Sequence, residues 1–407
     1  MEVRPGYKQT EVGVIPVDWD TVPLGRLASI ERGKFSARPR NDPRLYGGNI
    51  PFIQTGDVTR SSGAITTFTQ TLNSDGLRVS RLFPKGTLFF TIAANIGDVG
   101  LAQFEAACPD SLVAIAPNPA TDKGWLLYEL SRRKTDFENL ASPGAQLNIN
   151  LEKLRPYILP VPTLPEQRAI AAALSDMDAL LDGLERLIAK KRDLKQAVMQ
   201  QLLAGQTRLP GFSGEWEVKR LGELAEMGSG GTPLSSVAAY YGGDIPWVSI
   251  SDMTNGGKII DGTERSLTAL GLVNSAAQMF PAGTVLYAMY ASLGECCVAG
   301  RPLCTSQAIL GIQPKSKLDA EFLYYYLMSL KTIIKTLGQQ GTQSNLNKGM
   351  VQDFRLSLPS VTEQTAIAAV LSDMDAEISK LVARRDKTSN LKQAMMQELL
   401  TGRIRLL

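Results

Sequence analysis

Apolar residues recur at Ile170, Leu174, Met177, Leu181, Leu184 and Ile188, in alternating steps of four and three, with polar and charged residues between them. That spacing predicts one face of a long helix. The stripe returns at Ile367, Leu371, Met374, Ile378 and Leu381, is interrupted at Arg385, and resumes at Leu391, Met395 and Leu399. Such an interruption predicts a bent or re-registered seam, not an ideal coiled coil. Pro165 and Thr362 stand just ahead of a Glu-Gln pair at the start of each stripe, and Gly205 and Gly402 follow its end, as helix entry and exit signals do. From Pro165 to Ala204 such a helix spans about 60 Å at about 1.5 Å per residue, too long for the core of a small domain.

The two stripes are copies. The run from Glu166 returns at Glu363, at a constant offset of 197 residues, without insertion or deletion as far as Arg208-Leu209 and Arg405-Leu406. A lone amphipathic helix is usually a core element. Two similar ones, each following a segment of globular length, most simply pack on each other, and internal two-fold symmetry makes the pair antiparallel. The expected seam joins Ile170, Leu174, Met177, Leu181 and Leu184 to Ile367, Leu371, Met374, Ile378 and Leu381.

Residues up to about Leu159 are rich in Gly, Thr and Pro, with buried-strand patterns at Leu88–Ile92 and Leu112–Ile115 and a helical one from Trp125 to Arg132. An α+β unit fits this segment best. The same plan repeats after the first helix, at lower identity. Trp19 answers Trp216, Leu24-Gly25 answers Leu221-Gly222, and Gly86-Thr87 answers Gly283-Thr284, all at the 197 offset. Gly47-Gly48-Asn49-Ile50-Pro51 answers Gly242-Gly243-Asp244-Ile245-Pro246 at 195, so a short loop indel lies upstream. The expected domains are 1–163, 164–204 (helix), 205–360 and 361–407 (helix). The residues after the N-terminus correspond to those after the first helix, which predicts that start and finish are neighbours in a closed, pseudo-two-fold, circular arrangement. The helices stayed alike while the globular units diverged, so the helices read as scaffold and the units as readers of two different things.

Composition narrows the function. Forty-three Lys and Arg against 40 Asp and Glu leave only +3, so any affinity for nucleic acid comes from local patches. There is no histidine, which excludes Ser-His-Asp and Cys-His nucleophilic sites, His-bearing zinc sites and histidine general bases. Cys108, Cys296, Cys297 and Cys304 lack metal-ligand spacing and read as buried thiols. The chain has no Walker motif, no methyltransferase Asn/Asp-Pro-Pro-aromatic run and no nuclease carboxylate set. It has no secretory leader pattern and no apolar run of about 20 residues, which points to the cytoplasm and away from a membrane.

Several groups of residues are candidates for contact with DNA. Arg32, Lys34, Arg38 and Arg40, with Arg26 and Arg44 nearby, form the densest basic cluster of the first unit, open either to a solvated loop or to phosphate contact, and Arg60 is a separate candidate. Gly228 to Pro233 of the second unit, with Thr232, is a loop and not a phosphate cradle, since no Gly-Lys-Ser/Thr follows. Lys258 adds a further candidate cation. Gln146 and Asn148 are answered by Gln343, Asn345 and Asn347, amides that read base edges, adenine especially, or cap turns. Their presence in both copies favours a structural or backbone-contacting role.

The chain resembles, over its full length, the DNA specificity subunits of type I restriction-modification systems. The resemblance is carried by Leu159-Pro160-Val161-Pro162 running into Glu166-Gln167, by Leu358-Pro359 running into Glu363-Gln364, and by Leu-Lys-Gln-Ala at Leu194 and Leu391. Leu202-Leu203-Ala204-Gly205 and Leu399-Leu400-Thr401-Gly402 complete it. It implies two target-recognition domains, each binding one half of an asymmetric bipartite site in double-stranded DNA, held apart by the helices across a nonspecific spacer. It also implies that the chain is no enzyme and holds no cofactor. It would dock two methylation subunits, and through them restriction subunits, with S-adenosylmethionine, ATP and Mg in those partners. The alternatives are a scaffold displaying two protein-binding domains and a DNA-processing enzyme with a cryptic carboxylate site.

Overall fold

The structure is a computed structural model and describes residues 4–141, 148–339 and 345–406. The chain divides into two compact units, residues 1–185 with 383–407 and residues 186–382. Two long helices, Leu164–Leu203 and Val361–Leu399, each contribute one end to either unit. The second runs unbroken through Arg385, so the interrupted stripe does not interrupt the helix.

In the first unit a five-stranded sheet has the order Ala28–Arg32, Leu112–Pro117, Leu88–Thr91, Val99–Ala102, Ala64–Ile65. Its pairs are antiparallel except the last. A second sheet of four strands is ordered Gln70–Leu72, Tyr46–Phe52, Ala106–Ala107, Leu82–Phe83. The apolar run at Leu88–Thr91 is buried along its whole length because its two faces meet different cores. Phe90 packs toward the helix Lys123–Arg132 and the long helices, and Phe89 packs into a second cluster with Ile53 and Phe83. A strand covered on both faces needs no polar alternation.

The second unit repeats this plan, with a five-stranded sheet in the order Ala225–Ser229, Ile309–Pro314, Val285–Ala288, Cys296–Ala299, Ile259–Ile260. Leu286 and Tyr287 divide between two clusters as Phe89 and Phe90 do. Its counterpart of Lys123–Arg132 is a longer helix, Ala320–Gln339. All four cysteines are buried and unpaired, and burial raises each thiol, Cys304 to about 11.

The long helices pair antiparallel within each unit. Arg405 meets Glu166 and Lys392 meets Asp178 in the first unit, while Arg208 meets Glu363, Lys195 meets Asp375 and Lys191 meets Glu377 in the second. One partner's number rises as the other's falls. This geometry corrects the expected seam. Ile170 and Leu174 are fully buried in the first unit's core, with Leu399 and Leu400 from the other helix, whereas Ile367 and Leu371 lie in the second unit's core with Leu202 and Leu203. Equivalent stripes therefore do not pack on each other. Each stripe's start sits on its own globular core and meets the opposite helix's end, as antiparallel order requires. Leu184 is buried; Met177, Leu181, Met374, Ile378 and Leu381 are only half-buried. Leu174→Ala is expected to destabilise the first unit by about 2–5 kcal/mol, and Leu181→Ala by clearly less, as read by denaturant titration.

The N-terminal segment closes on the C-terminal one inside the first unit. Tyr7 donates its hydroxyl to the carbonyl of Gly402 at 2.8 Å, and Asp18 pairs with Arg405 at 2.6 Å. Among the described residues no helix is long and apolar enough to cross a membrane.

Candidate nucleic-acid interface

Each globular unit is fastened to the helix pair by the same polar joint. Glu166, at the start of the first long helix, is buried and accepts from Trp19 Nε1 at 2.9 Å and from Arg405 Nε and Nη2 at 2.5 and 2.8 Å. Gln167 beside it accepts from the Asp122 amide at 2.8 Å and donates to the Pro162 carbonyl at 2.9 Å. At the 197 offset, Glu363 accepts from Arg208 at 2.5 and 2.7 Å and from Trp216 Nε1 at 3.3 Å, and Gln364 repeats the bonds to Asp319 and Pro359. About three helical turns further on, Tyr128 donates to Asp178 at 2.7 Å and Tyr325 to Asp375 at 2.8 Å, each carboxylate also holding a lysine of the opposite helix. Burial and the adjoining carboxylate push both tyrosines up. The Glu-Gln pair is thus a structural clamp, and its recurrence follows from that.

Beyond the joint the units part company. Gly33 ends the edge strand Ala28–Arg32, and a Cβ there would lie 2.1 Å from the Pro109 carbonyl oxygen; at Gly230 it would lie 2.1 Å from Thr305 Oγ1. Only glycine lets the chain leave the first sheet so close to its neighbour. The loop that follows in the first unit rests on Phe35, whose ring lies tilted 5.0 Å from that of Phe52. It carries Lys34, Arg38, Arg40 and Arg44, all exposed. Arg40 pairs with Asp110 at 2.8 Å and Arg44 with Asp42 at 2.7 Å, whose carboxyl is lowered by that contact. Lys34 and Arg38 have no carboxylate partner among the described residues. Solvent screens exposed pairs of this kind, so they hold the two guanidinium groups only weakly. Arg60, on the helix Thr55–Arg60, holds buried Asp57 at 2.8 Å with its guanidinium largely in solvent.

The corresponding loop of the second unit, residues 232–240, has no lysine or arginine. Its exposed residues are Thr232, Leu234, Ser235, Ser236, Ala238 and Ala239; Thr232 donates to Gln307. Lys258 does not belong to the candidate set. Its ammonium is held 3.0 Å from Glu321, 3.2 Å from the Tyr325 hydroxyl and over the Tyr324 and Tyr325 rings, so it ties the unit to its helix.

The amides divide. Asn347 caps the helix Lys348–Gln352 by accepting from the Met350 amide at 3.0 Å, as Asn150 caps Leu151–Leu154. Asn148 is exposed and bridges Ala93, and Asn345 is exposed. Gln146 and Gln343 lie outside the described residues. Sequence reasoning missed the turns beside these segments. Ala94 and Ala291, equivalent and exposed, both take left-handed backbone conformations, φ 65° and 59°. Alanine pays roughly 1 kcal/mol or more there. An alanine gives no sequence signal of strain, but its repetition in both units marks a feature both retain. Among the described residues no cluster of His, Cys, Asp and Glu is placed to hold a metal.

Comparison with known proteins agrees with this architecture. The family model described as type I restriction modification DNA specificity domain matches twice, over residues 16–192 and 213–387. A Methanocaldococcus jannaschii protein, provisionally named the MjaX specificity subunit of a type I restriction enzyme, is 26% identical over 98% of this chain and 96% of its own length. The MjaIX specificity subunit of the same organism is 32% identical over 46% of this chain and 43% of its own length. The crystal structure of a type I restriction-modification S subunit from M. genitalium matches 98% of both chains with a TM-score of 0.59 at 16% identity, which is a likeness of fold.

Proposed function

Since the chain belongs to the type I restriction-modification DNA specificity family, as a non-catalytic recognition subunit with two target-recognition domains, we propose that each unit reads one half of a bipartite, asymmetric DNA site. The observation that carries this reading is the contrast between joint and loop. Equivalent clamps hold two units of one fold, yet the loops raised above them differ, basic in the first and hydroxyl-rich without cations in the second. The basic loop of residues 34–44 contacts phosphates and sets register, and the exposed strained turns at Ala94 and Ala291, beside the amide segments, approach the bases. The long helices, continuous elements of 40 and 39 residues, set the spacer. They and the adjoining faces dock two methylation subunits, which carry S-adenosylmethionine, and through these the restriction subunits with ATP and Mg. The assembly works in the cytoplasm.

The test is methylome sequencing of cells expressing the chain with its cognate methylation subunit. The reading expects a single split motif with two unlike halves and a fixed gap. A continuous or palindromic motif counts against it. In vitro, binding of the assembled complex should weaken steeply between about 50 and 200 mM salt, as phosphate-based contact requires; salt-independent binding would favour a protein-binding scaffold.

A further inference from the structure

The two units differ beside the clamp in a way that leaves one of them open. In the second unit Lys258 fills the angle between the helix Ala320–Gln339 and the long helix Val361–Leu399, bonded to Glu321, Tyr325 and, at 3.4 Å, Ser372. In the first unit the backbone at the same place makes the same strand contact, Leu101 N to Gly63 O at 2.8 Å against Val298 N to Lys258 O at 2.7 Å. The residue there is Gly63, and the residue equivalent to Glu321 is Gly124. The tyrosine and serine persist as Tyr128 and Ser175. Both members of the ion pair are therefore gone together, and a surface cleft of about 780 Å³, lined by Gly63, Gly124, Tyr128 and Ser175, stands where they would be.

The long helix has changed in the opposite sense. Where the second unit has Ser379 and Val382, the first has Asp182 and Glu185. Asp182 borders this cleft and the adjoining hollow of about 430 Å³, which Glu185 also lines; both are exposed and neither has a partner among the described residues. The cations nearby do not cancel them. Lys392 is taken by Asp178 and sits 5.4 Å from the centroid of the Tyr128 ring, as Lys195 sits over the Tyr325 ring that Lys258 also meets, and Lys134 is taken by Asp98. Arg168 lies about 21 Å along the helix from Asp182 at about 1.5 Å per residue, and Lys123, next to Gly124, has its ammonium turned toward Gly86, 3.7 Å from where a Cβ there would stand. The seat, with the Tyr128 ring beside it, lacks the cation of its counterpart; of the two spare carboxylates Asp182 lines the same cleft, about 10 Å along the helix from Ser175, and Glu185 lines only the adjoining hollow.

We propose that this cleft of the first unit receives a lysine or arginine side chain of a docked methylation subunit, in the seat that Lys258 fills from within in the second unit. The proposal rests on the docking of methylation subunits to this chain. The carboxylates disfavour a phosphate there, and the ring face and fixed hydroxyl favour an organic cation. The two docking sites are consequently unequal: one is completed by the partner, the other is complete already.

The test uses the full chain and the purified methylation subunit in calorimetric titration, with native mass measurement of the complex. D182N/E185Q removes both charges at exposed positions without changing size, and circular dichroism checks its fold. The wild-type chain should bind two subunits in two steps. In the variant one step should weaken by roughly fivefold for each ion pair lost and lose part of its salt dependence, with the other step unchanged. Two wild-type steps of unaltered affinity and salt dependence in the variant would overturn the proposal while leaving docking intact. Equal weakening of both steps would overturn it as well. Failure of the wild-type chain to bind any methylation subunit would instead remove the docking reading on which the proposal stands.

Discussion

Inserting four residues into each long helix, between Glu185 and Arg186 and between Val382 and Ala383, is expected to lengthen the unmethylated gap between the two half-sites while leaving both half-sites as they are. The insertion points fall where the two compact units divide, so every clamp, core and ion pair described within a unit keeps its partners. Four residues add about 6 Å of helix, close to two base-pair steps of about 3.4 Å. They also add about 40° of net rotation at about 3.6 residues per turn, and a duplex turns once in about 10 base pairs, so phase matters along with length. Seven residues add about 10 Å, near three base pairs, and return the apolar stripe to within about 20° of its former face. The seven-residue form should be the better tolerated. Methylation mapping reads both, and an unchanged gap in a variant that still methylates would show that the helices do not set it.

Glu166→Ala is expected to loosen the first unit by about 3 kcal/mol or more, because breaking a buried ion pair from one side leaves its partners uncompensated. The carboxylate is buried and serves three donors; without it the Trp19 indole loses its acceptor, and Arg405 keeps the exposed Asp18 and the Trp19 ring. Glu363→Ala should do the same to the second unit through Arg208 and Trp216. Thermal unfolding of the two variants checks this, and a cost below about 1 kcal/mol at both would mean the clamp is not what holds units to helices. Acid should act through the same joint. The Arg405 hydrogen bond holds the Asp18 carboxyl below its ordinary value of 3.8. Its contribution is present above that value and is lost as pH falls through the lower one.

The architecture was legible in the sequence because it is written twice. The 197 offset predicted two α+β units on two long helices, and the same offset relates Trp19 to Trp216, Tyr128 to Tyr325 and Arg208 to Arg405 in the joint. What periodicity could not supply was the partner of each stripe. Ile170 and Leu174 show an apolar face, but a face does not say what covers it, and here a globular core and the far end of the other helix do. Charge was ambiguous for a related reason. Lys258 and Lys34 look alike along the chain, yet one is tied to Glu321 and Tyr325 and the other stands free of carboxylates, a difference made by folding. Asn347 fell to the structural side through its cap, and the strain at Ala94 and Ala291 had no signature at all.

The division of labour between readers and ruler is tested most directly by exchanging residues 28–157 of the first unit for the equivalent segment of a family member with a different target, and mapping methylation in cells that also express the methylation subunit. That exchange spares both long helices and the Trp19, Glu166 and Arg405 part of the clamp, and the donor segment must supply its own partners for Gln167 and Asp178. One half of the motif should change to the donor's, with the other half and the gap retained. A change in both halves, or in the gap, would contradict the account.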